Sequence, residues 1–292
     1  MRVLLMINPS AGRGKERAAD VRAAFEDLGC EVLQAPFHAG AAAEIIARYR
    51  DRVDAAVIGG GDGTLRSAIP AFVNSDVPLG IIPLGTFNDL ARALQIPMQP
   101  AAAAKAIAEG HHRTIDIGSV NGRYFLTEAS IGISTHIARR QTSGVKRRFG
   151  FAGILATTLT TVWHARPFGV SVAYDEQVER FRTIQLTVAN SFHFGGLITN
   201  NAAAIDDGKL DLYSLDIERW RDVLPLIGPI LNREVRDSPS VRTRCATRFE
   251  ISTHRPRHVF ADGEPATLTP ATFDVLPRAV TVFVPRPEEQ PA

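Results

Sequence analysis

The chain has 292 residues, 45% of them hydrophobic and 22% charged, with a formal net charge of +2. This globular balance can bury a full core in one large or two ordinary domains, and nothing in it calls for a nucleic acid as partner. Cys30 and Cys245 stand apart without CxxC spacing, which argues against a cysteine metal site and for buried, inert thiols in a reducing compartment.

The start "MRVLLMIN" reads as a short buried strand that turns at "PSAG", too early for a signal peptide. "KERAADVRAAFEDLG" has helical spacing and stops at Gly29. Then come a strand "CEVLQAPF", a helix "GAAAEIIARYRD", a strand "AAVIGG", a helix "GTLRSAIPAFVN", a strand "PLGIIPLG" and a helix "TFNDLARALQI". Strands alternating with helices predict parallel βαβ units, Rossmann-like, with a ligand cleft beyond the carboxyl ends of the strands.

The rhythm changes after "RTIDIGSVNG". The apolar segments "GRYFLTEASIGI", "GVSVAYDEQVERFRTIQLTVANS", "GKLDLYSLDI", "RFEISTH", "RHVFADGE" and "AVTVFVP" are short, alternating and split by turns. They predict a mostly antiparallel, β-rich second domain, a β-sandwich interrupted by helices at "FAGILATTLTTVWHA" and "ERWRDVLPLIGPIL". The expected domains are residues 1–120 and 121–292, with the C-terminal tail free to pack back on the first. No stretch reaches the roughly 18 apolar residues needed to span a bilayer, so a cytoplasmic protein is expected.

"AAVIGGGDGTLRSAI" crowds Gly59, Gly60, Gly61, Asp62, Gly63 and Thr64 between a strand and a helix. Glycines there let a phosphate approach backbone N–H groups at a helix start. Asp62 would repel a bare phosphate and makes sense with a divalent cation between them. A glycine-rich turn also arises from structure alone, and this one fits neither G-x-x-x-x-G-K-[ST] nor G-x-G-x-x-G. "IIPLGTFNDLAR" repeats the pattern with Gly85, Thr86, Asn88 and Asp89, although Asn and Asp also serve as simple caps. "NPSAGRGK" adds Asn8, Gly12, Arg13 and Lys15 at the first strand end.

"GGDGT" at 60–64 resembles the signature shared by diacylglycerol, sphingosine, ceramide and NAD kinases and phosphofructokinases. With "NPSAG", "PLGTFNDLAR", "DIGSVNGRYFLTEASIGI", "VANSFHFGG", "AIDDGKLDL" and "FADGE" in order, the chain is identified as resembling the soluble bacterial diacylglycerol and lipid kinases. The resemblance runs from residue 8 to residue 264. It implies a phosphofructokinase-like and NAD-kinase-like N-terminal domain and ATP with Mg²⁺ as cofactors. Gly60, Gly61, Asp62, Gly63 and Thr64 would hold the phosphates, Asn8 and Thr86 would help to bind the nucleotide, and Asp62 and Asp89 would organise Mg²⁺. Glu264 would be the proton acceptor, and Asp116 would face the substrate. Asp207, with carbonyls from Ala204 and Lys209, would hold a structural Mg²⁺. A β-turn alone also explains "ADGE", and an Asp-Gly hairpin also explains "DDGK".

The chain departs from that family at Arg66 and Ser67, where Asn-Glu is common, and at Leu197, Asn201 and around Pro36. Arg139, Arg140, Lys146, Arg147 and Arg148 flank an apolar run and would face anionic headgroups, although such a charge run is also an ordinary solvated surface. The expected protein is a lipid kinase, peripheral at the inner membrane surface, phosphorylating diacylglycerol. Other acceptors (a sphingoid base, phosphatidylglycerol, NAD) and a non-catalytic nucleotide-binding regulator are the alternatives, and the reading admits a homodimer.

Overall fold

The computed structural model describes residues 1–12, 14–38, 40–133, 165–190, 193–194, 198–199, 205–216 and 241–286. It divides into two compact units, Met1–Ile117 with Pro277–Ala292, and Gly118–Leu276. Both expected helices of the second half, and the basic run from Arg139 to Arg148, lie outside the described residues.

In chain order the first unit holds β1 (Arg2–Ile7), α1 (Gly14–Asp27), β2 (Glu31–Gln34), α2 (Ala42–Tyr49), β3 (Ala55–Gly60), α3 (Asp62–Ala68), β4 (Leu79–Pro83), α4 (Asp89–Ala93), α5 (Pro100–Ala108) and the start of β5 (His112–Val120). The sheet runs β2-β1-β3-β4 with every neighbouring pair parallel. Strands β1, β3 and β4 are buried along nearly their whole length, with Val3 to Met6 and Ala55 to Ile58 at 0% exposure, because helices cover both faces of such a sheet, whereas the edge strand β2 is exposed to half-buried. The helix expected over 63–74 ends early. Pro70 cannot continue α3, and the chain closes instead as a 3₁₀ turn over Ile69–Ala71. Helix α5 was not expected. Its run "PAAAAKAIA" has a proline in its first turn and the best helix former throughout, but no apolar stripe to announce it.

The second unit continues with β6 (Arg123–Phe125), β7 (Glu128–Gly132), β8 (Phe168–Tyr174), β9 (Gln177–Thr183), β10 (Gln185–Ala189), β11 (His193–Phe194), β12 (Ile198–Thr199), β13 (Leu210–Leu215), β14 (Val241–Ala246), β15 (Arg248–Thr253), β16 (His258–Ala261), β17 (Glu264–Leu268) and β18 (Ala271–Phe283). One antiparallel sheet runs β14-β13-β10-β7-β16-β17. A second carries β18-β15-β8-β9, also antiparallel. Alternate residues of both sheets, among them Phe125, Val172, Leu186, Leu212, Phe249 and Phe273, meet in one apolar core. This is the β-sandwich expected from the alternating pattern.

The last strand serves both units. Ala271 to Asp274 pair with β15 in the sandwich, whereas Val280 and Val282 are buried in the first unit, where Val282 lies parallel to Leu79 at the start of β4. Cys30 is buried as expected, but Cys245 is exposed, on β14 opposite Asp211. Among the described residues strand β14 is the edge of its sheet, with no neighbour strand on its outer side. Partial burial and the carboxylates of Asp211 and Asp207 still push that thiol up to about 11, which leaves it a poor nucleophile at neutral pH.

Candidate phosphotransfer site

The carboxyl ends of β1, β3 and β4 meet in the first unit, and side chains tie them together. Asn8, just past β1, donates its backbone N–H to Gly59 O at 2.9 Å and its side-chain amide to Thr64 Oγ1 at 2.8 Å. Gly61 caps α3, its carbonyl accepting from Thr64 N at 2.9 Å and Leu65 N at 3.0 Å. Asp62 Oδ1 accepts from Asp89 N at 2.7 Å, so one carboxylate anchors the start of the next helix. Asn88, in the left-handed region at φ 52°, closes the second turn: its Oδ1 accepts from Gly85 N and its Nδ2 donates to Gly85 O, both at 3.0 Å.

The glycines divide into two kinds. A Cβ on Gly85 would stand 2.5 Å from Gly61 Cα, and one on Gly60 would stand 2.5 Å from Thr64 Cβ. These positions are glycine because the strand ends are pressed against each other and against α3. Gly63 differs. A Cβ there meets nothing within 4 Å, and the residue is exposed on the first turn of α3. The N–H groups of a helix's first turn lack helical acceptors, so the open face suited to a phosphate is at Gly63. Thr64 is 6% exposed and Thr86 is exposed.

A cavity of about 340 Å³ opens beside Gly85, Thr86 and Asn88, with Gly12, Arg17 and Arg92 also in its wall. Arg17 and Arg92 make that wall cationic, and sequence reasoning assigned them no role. The only signal for Arg92 was its presence in "NDLAR". Arg92 is held in place by donating Nε to Phe87 O at 2.8 Å.

Among the described residues no group of three or more His, Cys, Asp or Glu side chains converges as a self-sufficient metal cage. Asp62 and Asp89 supply two hard carboxylates at adjoining turns. This fits Mg²⁺, which is held by one or two carboxylates together with substrate phosphates and water. In the sandwich, Asp207 Oδ1 accepts from Lys209 N at 2.9 Å in a local turn, and Ala204 lies outside the described residues. Asp116, in the first unit, is 1% exposed, and its Oδ1 accepts from Arg278 N at 2.7 Å.

Glu264 is exposed, first in β17 and directly after the turn Asp262-Gly263. Ala261 pairs with Glu264, so the loop has two residues, and both have positive φ, 48° and 81°. Asp-Gly is a favoured pair for this tight hairpin. The turn expected as the plainer explanation of "ADGE" is therefore real, and the acid stands on it. No described helix is long and apolar enough to cross a membrane.

A parallel α/β unit with glycine turns at its strand ends, continuing into an antiparallel sandwich, defines a two-part kinase fold. Residues 2–120 match the diacylglycerol kinase catalytic domain, and residues 127–284 match the YegS C-terminal NAD kinase beta sandwich-like domain. The chain belongs to this family of diacylglycerol and lipid kinases. It is 30% identical to a diacylglycerol kinase of Bacillus subtilis over 98% of this chain and 97% of that one. It is 35% identical to a Pseudomonas aeruginosa protein named "Probable lipid kinase YegS-like", over 78% and 76%. A crystal structure of a diacylglycerol kinase from Bacillus anthracis superposes with a TM-score of 0.76 at 26% identity, covering 97% and 96%.

Proposed function

We propose that the protein transfers the γ-phosphoryl group of Mg-ATP to the hydroxyl of a membrane lipid, diacylglycerol in the first instance. The observation that carries this reading is the joining of two strand-end turns, with Asn8 bonded to Thr64, Asp62 to the backbone of Asp89, and Gly61 packed on Gly85. The held carboxylate of Asp62, with that of Asp89 at the adjoining turn, one open glycine and a cationic wall, suits a metal-bound polyphosphate better than a bare anion. Asn8, Thr64 and Thr86 orient the nucleotide, and backbone N–H groups at Gly63 meet its phosphates. Asp62 and Asp89 would hold Mg²⁺, which would supply charge neutralisation at the transferring group.

Glu264 is assigned as general base. It takes the proton of the lipid hydroxyl as that oxygen bonds to the γ-phosphorus, while the bond to the β–γ bridging oxygen breaks and ADP leaves. Asp116 belongs to this reading as a substrate-side acid. Asp207 with the carbonyls of Ala204 and Lys209 belongs to it as a structural Mg²⁺ loop. The acceptor resides in a bilayer, so the enzyme works from the membrane surface, with Arg139, Arg140, Lys146, Arg147 and Arg148 toward anionic headgroups.

The test is incorporation of label from γ-labelled ATP into mixed micelles. These carry diacylglycerol, phosphatidylglycerol or a sphingoid base, with free NAD in a separate reaction. The wild type is expected to label diacylglycerol, with activity falling by about 10²-fold or more in Asp62→Ala and Glu264→Ala. Label entering NAD with no lipid present, or nucleotide binding without transfer to any acceptor, would refute the reading.

A further inference from the structure

We infer that Asp262 is a positioning residue that fixes the carboxylate of Glu264, an assignment that rests on the role given to Glu264 above. Asp262 has its backbone in the left-handed region, two residues before Glu264. Its carboxylate is used on both oxygens. Oδ2 accepts from Leu126 N at 2.9 Å, and Oδ1 accepts from Thr127 N at 2.9 Å, from Thr127 Oγ1 at 2.8 Å and from Glu128 N at 3.3 Å. The backbone N–H of Asp262 donates to Glu128 O at 2.8 Å. Five hydrogen bonds therefore tie one turn residue to the segment entering β7.

That density is more than a hairpin requires. An Asp-Gly turn forms from its own backbone preference, and Asn-Gly would form it equally well. What the carboxylate adds is attachment of the tip to the next strand of the sheet, so that the tip cannot swing. The acid stands directly after this anchored tip, between Gly263 at φ 81° and Pro265, which confines Glu264 to extended backbone. A base on a free hairpin tip would sample many positions. On this tip its Cα is fixed, and only side-chain rotation remains. Misplacement of a reacting group by about 1 Å can cost on the order of 10²-fold in rate.

The experiment is a cycle on the full chain in the mixed-micelle assay, with Asp262→Asn, Asp262→Ala, Glu264→Gln and the double variant Asp262→Ala/Glu264→Gln. Asn keeps the turn conformation and one acceptor oxygen, so it guards against a variant that does not fold, and thermal melts record the fold of each protein. The expected result is a fall in kcat of about 10-fold for Asp262→Asn and more for Asp262→Ala, with KM for ATP within about twofold of wild type. In the Glu264→Gln background Asp262→Ala should cost nothing further in kcat, because the group it positions is gone. A wild-type kcat in both Asp262 variants, or an equal loss with and without Glu264, overturns the assignment. Full activity in Glu264→Gln instead removes Glu264 as the base, and this inference falls with it.

Discussion

At the scale of single residues, the glycines of one motif have different physical causes. Gly85→Ala sets a Cβ 2.5 Å from Gly61 Cα and 2.7 Å from Asn88 Oδ1, a clash with backbone that side-chain rotation cannot relieve. It is expected to destabilise the protein by about 1–3 kcal/mol. Gly63→Ala meets open space on a helical turn, so its melting temperature should hold or rise by the equivalent of about 0.5–1 kcal/mol. Nucleotide affinity should nevertheless fall about tenfold if phosphate lies against it. Thermal melts and ATP titration of the two variants separate these effects. Equal destabilisation, or unchanged affinity in Gly63→Ala, would contradict the division. The identity of these residues was legible in the sequence because motif spacing is local. Which glycine stands open was not, since that depends on Gly85 lying against Gly61, 24 positions away along the chain.

At the scale of elements, the parallel strands were readable from apolar runs ending in glycine or proline, and the short sandwich strands were read less completely. The stretch "GVSVAYDEQVERFRTIQLTVANS" holds three strands, β8, β9 and β10. Its first turn, Asp175-Glu176, has φ of 42° and 63°, and glutamate is not a residue that announces such a turn. Strand β9 shows only weak alternation because a charged residue, Glu179, shares its inner face with Phe181 and Thr183, while Val178 is exposed on the other. Glu179 accepts from Arg244 Nε at 2.5 Å and from Arg242 Nη1 at 2.8 Å, and also from the Tyr174 hydroxyl. Arg242 also binds Asp216 at 2.9 Å, so the network ties the β8–β9 hairpin of one sheet to β13 and β14 of the other.

Hydrogen bonding from Arg244 outweighs the opposing effect of burial and lowers Glu179 from its ordinary 4.5 to about 2. A lowered acid stabilises the fold fully above its unfolded value, and that stabilisation is lost as pH falls through the folded value. The deficit of Glu179→Gln relative to wild type should therefore be full at neutral pH and shrink between pH 4.5 and about 2. Urea midpoints of both proteins across that range check it, and a deficit constant with pH would exclude the ion network as its source.

At the scale of the whole molecule, the strand Ala271–Phe283 supplies a parallel neighbour to β4 and buries Val280 and Val282 in the unit that begins at Met1. Alternation in "AVTVFVP" announced a strand, but no local pattern reveals a partner some 200 positions earlier. A fragment ending at residue 120 should therefore expose the flank of β4 at Leu79 and the apolar side that Val280 and Val282 cover. It is expected to be insoluble or to lack a cooperative melt. Adding residues 277–286 as a separate peptide should restore some helical circular dichroism. A soluble, sharply melting fragment would show the last strand to be dispensable.

This arrangement also governs the order in which the protein is made. Ribosomes release roughly 5–20 residues per second, and most multidomain chains complete their first domain while the next is still emerging. Here the first unit cannot close until residues 277–286 have emerged, because its last strand follows the entire sandwich along the chain. Nascent chains stalled before that point would present an open β-edge to chaperones, while the sandwich, lacking only its final few residues, would already be folding beside the exit tunnel.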